Sequence, residues 1–538
     1  MPISPPDHRD PASLCRDSIE AELGLLEADT WPPRHNVHKY WGKKPANVVG
    51  SYIGYFSRTG DTVVDPFCGS GVTPIEAALL GRRALGFDFN PFAVALGQAL
   101  AAPPAPAAFK RAAAAVLKAV EPEIAALFHT RCRECGQPVV VRSFGYDKDR
   151  LAAVRYRCSC RRKSRAVPPD DEDLRLAGLA VDPIAGTPDA EILFGWEMQK
   201  LKRRKTIRRW SDLFTPRNYR IAGAIWAEIQ TFRSQPELYG WLSLTLTASL
   251  AQFTRMIADS SGAGGGPSWK INCYWLPDRW QELNPHWYFE NRASKSLAGI
   301  VDLSVRSVTE RAEIRQGDSR RLPLADHSVD YIFTDPPYGG EGIQYGELST
   351  LWNLWLGAEA PLEREIAFNP YRGLSEHHYG AGLDAVFAEA ARVLRPERWM
   401  TVTFANKTPQ VWDALMAACR QAGFKLITAA PMTRSAPSLT ETTTRLAPKA
   451  DLLLSFQKTR RTTVATARDD AYRLPARIET ILAAMAAAEI TITPAAVFDR
   501  VTIDWFSWFY DGGNRPDTVT PTPDAVERVL AQRAEPPS

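Results

Sequence analysis

The sequence predicts an α/β fold: one sheet of the nucleotide-binding kind, divided by a long insertion. Three observations carry that expectation. Residues 61–88 run strand, glycine turn, helix, strand and terminal acid. A second series of strand patterns runs from Glu313 to Gln457, and the stretch between the two carries cysteine pairs and a basic run that no such sheet needs.

At 538 residues the chain has room for two or three domains, and 45% apolar with 23% charged residues is ordinary for a globular protein. A net charge of +4 is too small to argue for nucleic acid by itself, so any basic surface is local. No run approaches a membrane span, the amino terminus has no apolar signal core, and the use of eight cysteines fits a reducing cytoplasm. No Walker-type glycine–lysine loop occurs, so ATP-driven work would need a partner.

Taken in order, Ser18 to Leu26 reads as a helix, and Pro45 as the first-turn proline of a helix over Ala46 to Phe56. Asp61 to Asp65 reads as a buried strand. Pro66 to Gly71 is a turn whose Gly69 and Gly71 let the backbone approach a ligand, and the helix Thr73 to Leu80 offers free N–H groups at its start. Arg83 to Asp88 is a second strand ending in an acid suited to ribose hydroxyls. Ala99 to Ala108 reads as a connector and Ala112 to Ala126 as a helix.

Cys132-Arg-Glu-Cys135 and Cys158-Ser-Cys160 follow, with strand-like residues between them. Two close thiolate pairs can converge on one tetrahedral zinc; the alternative is four unrelated free cysteines. Lys200 to Arg209 then holds seven cations in ten residues, including Lys202, Arg203, Arg204, Lys205, Arg208 and Arg209, with Trp210 beside them. Such a run suits phosphate contacts, or is simply a solvated face. Leu213 to Ile257 reads as helical, Gly262 to Gly266 as a flexible loop, and the Trp- and Tyr-rich residues 269–292 mostly as core.

The apolar run Asp330 to Thr334 stops at Asp335-Pro336-Pro337-Tyr338. Proline cannot extend a ladder, so Asp335 falls at the carboxyl end of a buried strand, where open α/β sheets bind ligands. The helix Leu383 to Leu394, a strand at Met400 to Ala405 and a closing antiparallel pair at Lys425 to Ala429 and Asp451 to Gln457 complete seven strands. Beyond about residue 470 the chain reads as a helical tail with an aromatic cluster of no assigned role.

Asp65-Pro66-Phe67-Cys68-Gly69-Ser70-Gly71 resembles the S-adenosylmethionine loop of amino-methylating DNA methyltransferases, and Asp335-Pro336-Pro337-Tyr338 resembles their catalytic motif. His38 to Pro45, ending in Lys44-Pro45, is similar to the segment that closes over the methionine part of the cofactor. Asp88 matches the ribose-binding acid, and Asp318 the position facing adenine. The cysteine insert points to the bacterial adenine-specific methylases that contain a zinc ribbon. The resemblance covers roughly residues 35–97 and 312–457.

It implies a class I S-adenosylmethionine-dependent methyltransferase with a Rossmann-like seven-strand sheet. The expected divisions are 1–100 for the cofactor half, 101–311 for an insertion with a zinc ribbon near 130–166, 312–460 for the catalytic half and 461–538 for the helical tail. The implied activity is methyl transfer to an exocyclic amine of a flipped base in double-stranded DNA. Adenine N6 is favoured over cytosine N4 because an aspartate stands first in the catalytic motif. The implied roles are catalysis for Asp335, Pro336, Pro337 and Tyr338, cofactor binding for Lys44, Pro45, Asp65, Phe67, Gly69, Gly71, Asp88 and Asp318, and structural zinc for the four cysteines. Restriction or phage-defence proteins are possible partners, in a bacterial cytoplasm close to the nucleoid. Two rivals stay open: an RNA guanine-N2 methyltransferase, and a catalytically silent zinc-ribbon DNA-binding subunit.

Overall fold

The computed structural model describes residues 13–534 except 24–25, 161–164, 203, 205, 260–272, 306–307, 340–342, 407, 433–450, 460–471, 488–491 and 511–522. Its centre is a seven-stranded sheet. In chain order the strands are β1 (Thr62–Asp65), β2 (Arg83–Asp88), β3 (Ala312–Gln316), β4 (Val329–Thr334), β5 (Leu394–Phe404), β6 (Phe424–Met432) and β7 (Asp451–Lys458). Across the sheet they run β3-β2-β1-β4-β5-β7-β6, with β7 antiparallel to β5 and β6 and the remaining neighbours parallel. This is the order of the class I methyltransferase sheet.

The burial pattern explains why β1 and β4 are central. All six residues of β4 are buried, as a parallel strand covered on both faces requires. Tyr331 and Phe333 face the helix Ala46–Phe56, where Phe56 stacks on Tyr331 at 5.4 Å. Ile332 faces the opposite core with residues of the helix Glu376–Val393. The chain runs from β1 outward through β2 to β3, then returns to β4 on the other side of β1. The carboxyl ends of β1 and β4 therefore border the crevice that such a reversal opens.

The helices outside the sheet depart from the sequence reading in several places: the helix expected at Leu383 to Leu394 runs Glu376–Val393, and the one expected at Ala112 to Ala126 starts earlier. The expected connector at Ala99 to Ala108 is mostly helical, because one helix runs Pro91–Ala101 and the next, Pro106–Leu127, starts on a proline tolerated in its first turn. Pro45 is the residue just before the helix Ala46–Phe56, rather than inside its first turn.

The insertion's helices Pro216–Gln230, Pro236–Phe253 and Pro285–Ser304 share one hydrophobic core with the cofactor half, and Trp241 Nε1 donates to Ala99 O at 2.8 Å. A second sheet contains the strands His129–Arg131, Pro138–Asp147, Arg150–Tyr156, Arg165–Val167 and Arg279–Leu283. The tail has helices at Leu474–Ala487, Pro494–Tyr510 and Pro523–Ala534, with Trp505 and Trp508 packed into the core on the β4–β7 side of the sheet. Among the described residues no helix is long and apolar enough to cross a membrane. The glycine loop expected at 262–266 lies outside the described residues.

Candidate active site and metal centre

The crevice holds a cavity of about 280 Å³. Of the residues singled out in the sequence, Lys44, Asp65, Phe67, Gly69, Asp88, Asp318, Asp335 and Pro337 line it. Pro45, Gly71, Pro336 and Tyr338 do not form its wall. Gly71 (φ +81°) instead precedes the helix Val72–Leu79, where an added Cβ would press on Gly97 Cα at 3.1 Å.

On the β1–β2 side the acids are held by neutral donors. Asp65 Oδ1 accepts from Phe67 N at 3.0 Å and from Thr334 Oγ1 at 2.8 Å, tying the end of β1 to the end of β4. Burial pushes its carboxyl up to about 7, against the pull of its donors from Thr73, Phe67 and Thr334. Asp88 accepts from Gly69 N and Asn90 N, each at 2.9 Å, and burial lifts it to about 6. Asp318 is different: it is ion-paired to Arg320 and Arg364, which hold it below the usual carboxylate range.

On the β4 side the site is built around a cation. Lys44, 6% exposed, sets its Nζ 3.0 Å from Asp335 Oδ2 and 3.1 Å from Asp451 Oδ2. It also donates to the Tyr338 hydroxyl and lies 5.0 Å from the centre of that ring. Burial alone would lower the Lys44 pKa, but the two carboxylates outweigh it and raise it, so the ammonium stays charged. Asp335 is raised first by burial and further by Asp451, with Lys44 opposing. Thr403 Oγ1 donates to its other oxygen at 2.9 Å. Tyr338 packs edge-to-face on Phe404 at 5.2 Å, and its main-chain carbonyl accepts from Asn406 Nδ2.

Four of these participants were not legible as site residues: Asp451, Thr403, Asn406 and Glu365. Asp451 opens β7 with no motif around it, and Thr403 and Asn406 sit near the end of an ordinary apolar strand. Glu365 lines the cavity, accepts from Gly346 N at 3.0 Å and is lifted by burial to about 7. The segment after Tyr338 is also fastened to the insertion. Glu197 Oε1 accepts from Gln344 N at 3.1 Å, and Glu197 N donates to Glu347 Oε2 at 2.9 Å. Glu347 in turn accepts from Asn369 Nδ2 at 2.8 Å and Arg372 Nε at 2.7 Å.

The cavity's chemistry fits S-adenosylmethionine. Five carboxyl groups (Asp65, Asp88, Asp318, Asp335 and Glu365) face a space that would receive a sulfonium cation, and Tyr40, Phe67 and Phe89 supply flat apolar wall. Asp88, at the end of β2 on the cavity wall, is the group that would hold the nucleoside part.

The four cysteines converge. The Sγ atoms of Cys132, Cys135, Cys158 and Cys160 all lie within 4.8 Å of one another, with Cys132–Cys160 at 3.6 Å and Cys135–Cys158 at 3.5 Å. Thiolates about 2.3 Å from a tetrahedral zinc are about 3.8 Å apart, so the donor set fits that ion. The first pair is shaped by a knuckle in which Gly136 (φ +69°) returns its N–H to Cys132 O at 2.9 Å.

The basic run is less open than its sequence suggests. Arg204 pairs with Asp278 at 2.6 Å and Arg209 with Asp189 at 2.7 Å, while Lys202 and Arg208 have no ion pair among the described residues. Arg203 and Lys205 lie outside the described residues. Trp210, read as an aromatic beside phosphate contacts, is instead 2% exposed and packs edge-on to Tyr274 at 5.0 Å. An indole is too large an apolar surface to leave in water when a core is adjacent.

Sheet order, glycine loop and the acid-Pro-Pro-aromatic turn together define a class I methyltransferase scaffold. Within it, residues 20–99 match the family model described as DNA methylase, of the N6/N4 amino-methylating kind. The chain is similar to the type II methyltransferase M.MjaII of Methanocaldococcus jannaschii, 34% identical over 68 residues, which are 13% of each protein. It is also similar to the type II methyltransferase M.EcaI of Enterobacter cloacae, 44% identical over 54 residues, 10% of this chain and 12% of that protein. The match thus spans about an eighth of either relative's length. Among solved structures, a geranyl diphosphate C-methyltransferase from Streptomyces coelicolor is 7% identical at a TM-score of 0.26, covering 84% of this chain and 100% of that one. A geranyl diphosphate methyltransferase with sinefungin gives 8% and 0.25, over 84% and 96%. Likenesses that faint leave the fold to be read from the sheet itself.

Proposed function

We propose that this protein is a DNA methyltransferase that moves a methyl group from S-adenosylmethionine to an exocyclic base amine, adenine N6 in the first instance. The observation that carries this reading is the pair Asp65 and Asp335. They stand on neighbouring strand ends around one cavity, one in a glycine turn of the DNA-methylase family and the other before Pro336-Pro337-Tyr338.

An exocyclic amine is a poor nucleophile because its lone pair is delocalised into the ring. Hydrogen bonds from the amine to the Asp335 carboxylate and to the main-chain carbonyl of Pro336 would draw it toward tetrahedral geometry. The bound cofactor supplies an electrophilic methyl group. Lys44 opposes the upward pull of burial and Asp451 on Asp335, and the incoming amine would share that carboxylate with Lys44 and Thr403. Tyr338, freed from its contact with Lys44, would stack on a base that has left the duplex. No cysteine nucleophile is required, and Cys68 is a buried packing residue against Gly86. Lys202 and Arg208 are proposed to meet DNA phosphates.

The test is transfer of labelled methyl from S-adenosylmethionine to duplex DNA, followed by identification of the modified base. N6-methyladenine is the expected product, absent with Asp335→Ala. N4-methylcytosine would change the base but not the class. Label entering RNA and no DNA would replace the proposal by an RNA methyltransferase, and label in neither would leave a non-catalytic subunit.

A further inference from the structure

Four cations gather at one place although the sequence keeps them about 250 positions apart. Lys39 and Lys43 come from the loop before the helix Ala46–Phe56; Arg292 and Lys295 come from the helix Pro285–Ser304. Contact between the two segments is direct. A Cβ on Gly299 would meet Val37 Cγ1, Pro33 O and Arg34 Cα, so this helix lies against residues 33–37. Arg292 and Lys295 are seven and four residues before Gly299, on the same stripe of the helix, which carries them toward residues 39–43.

Their electrostatics show that they are neighbours without a counter-charge. Partial desolvation and then Arg292 push Lys39 down to about 8 and Lys43 down to about 7. Burial and then Arg292 also lower Lys295, and burial lowers Arg292 itself. Lys43 Nζ donates only to main-chain carbonyls, His35 O at 2.7 Å and His38 O at 2.6 Å. Among the described residues no carboxylate pairs with any of the four, in a chain of 65 cations and 61 acids where Arg204, Arg209 and Asp318 all have ionic partners. Clustered like charges left unpaired work against folding, so such a group is explained by an anion that it meets. Lys39 and Lys295 are exposed and Lys43 and Arg292 half-buried, so the anion arrives from solvent at the two exposed lysines.

The position narrows what that anion is. Tyr40 to Lys44 form part of the cavity wall, and Lys44 holds Asp335, whereas Lys39, Arg292 and Lys295 lie outside the cavity. A base that reaches Asp335, at the edge of that cavity, leaves the flanking phosphates of its strand outside it. We propose that Lys39, Lys43, Arg292 and Lys295 form a phosphate clamp that grips the DNA strand bearing the target base, beside the entrance to the catalytic cavity. The clamp rests on the DNA-methyltransferase reading given above. It needs no base readout, and its contribution is to hold the backbone while the base is out.

The experiment compares two triple variants of the full-length protein in binding a mixed-sequence duplex at several salt concentrations. Lys39→Gln with Arg292→Gln and Lys295→Gln removes three clamp charges. Lys110→Gln with Arg111→Gln and Lys118→Gln removes three exposed charges from the helix Pro106–Leu127. The clamp variant is expected to weaken binding and to flatten the log–log salt slope by up to about 2.7, at about 0.9 for each phosphate no longer neutralised. The control variant keeps the wild-type slope. S-adenosylmethionine affinity, measured by calorimetry, stays unchanged in both and shows that the clamp variant is folded. An unaltered slope in the clamp variant, or an equal change in both, overturns the clamp. So does a loss of cofactor affinity with an intact slope, which would give these cations to the cofactor carboxylate. If wild type methylates DNA while the clamp variant behaves like wild type, only the clamp falls; if wild type neither binds nor methylates DNA, the functional reading falls with it.

Discussion

Asp65 and Asp335 end neighbouring parallel strands, line the same cavity and are both raised by burial, yet their surroundings differ in kind. Asp65 has only neutral donors and rises to about 7, so near neutral pH its proton is shared between on and off. Asp335 has a buried ammonium at 3.0 Å, balanced by a second carboxylate at 3.1 Å. The first arrangement suits a group that shapes a turn and tolerates either protonation state. The second sets a positive charge against the burial that raises an acceptor carboxyl, the arrangement that the proposed polarising of an amine would use.

Removing the cation should make the second acid resemble the first. Lys44→Met leaves Asp335 and Asp451 buried without compensation, and breaking such a pair costs about 3–5 kcal/mol, readable as a lower urea midpoint. In the same variant the acid limb of kcat/KM should move to higher pH, because losing a neighbouring positive charge raises a carboxyl pKa. An unmoved limb would show that Lys44 does not govern Asp335.

A smaller effect separates the two acids in turnover. Asp335→Asn is expected to lower kcat by about 10²- to 10³-fold at saturating cofactor, since a neutral amide replaces the anion facing the amine. Asp65→Asn should act mainly on cofactor affinity and much less on kcat. Equal losses in kcat would erase the distinction.

The smallest effect concerns stability against pH. A carboxyl raised from about 3.9 in the unfolded chain holds its proton more tightly when folded, so its contribution is full at low pH and is lost as pH rises through the folded value. For Asp65 that window runs from the ordinary carboxylate range up to about 7. Asp65→Asn should therefore gain on wild type across it, by at most about 1.4 kcal/mol per pH unit, and run parallel to it above. Parallel curves throughout, in unfolding measured without cofactor, would mean that Asp65 titrates normally.

What the sequence makes legible depends on how far each signal reaches along the chain. The loop at Asp65 to Gly71, the strand ending at Asp88 and the turn at Asp335 to Tyr338 each show themselves within a few residues, through glycines, prolines and an apolar run that stops. The cysteine pairs are equally local, and they converge as expected. Asp451 cannot be found that way: its partner is Lys44, on a loop at the other end of the sheet's sequence, and no pattern links the two. The same applies to Lys39 and Arg292, which only a helix packed on a loop brings together. Trp210 misleads because the charges before it suggest open surface, when the chain turns inward at that residue.

The link from Glu197 to Gln344 and Glu347 has a practical side for anyone wishing to exchange the insertion for that of another protein. A graft bounded by sequence similarity alone would cut Gly195 to Glu197 away from residues 344–372, leaving Glu347 Oε2 and Gln344 N without their partners. Gly195 tightens the constraint further, since a Cβ there would run into the Glu347 carboxylate and no larger residue could take its place. The transplantable unit is therefore the insertion plus the segment after Tyr338, moved as one piece.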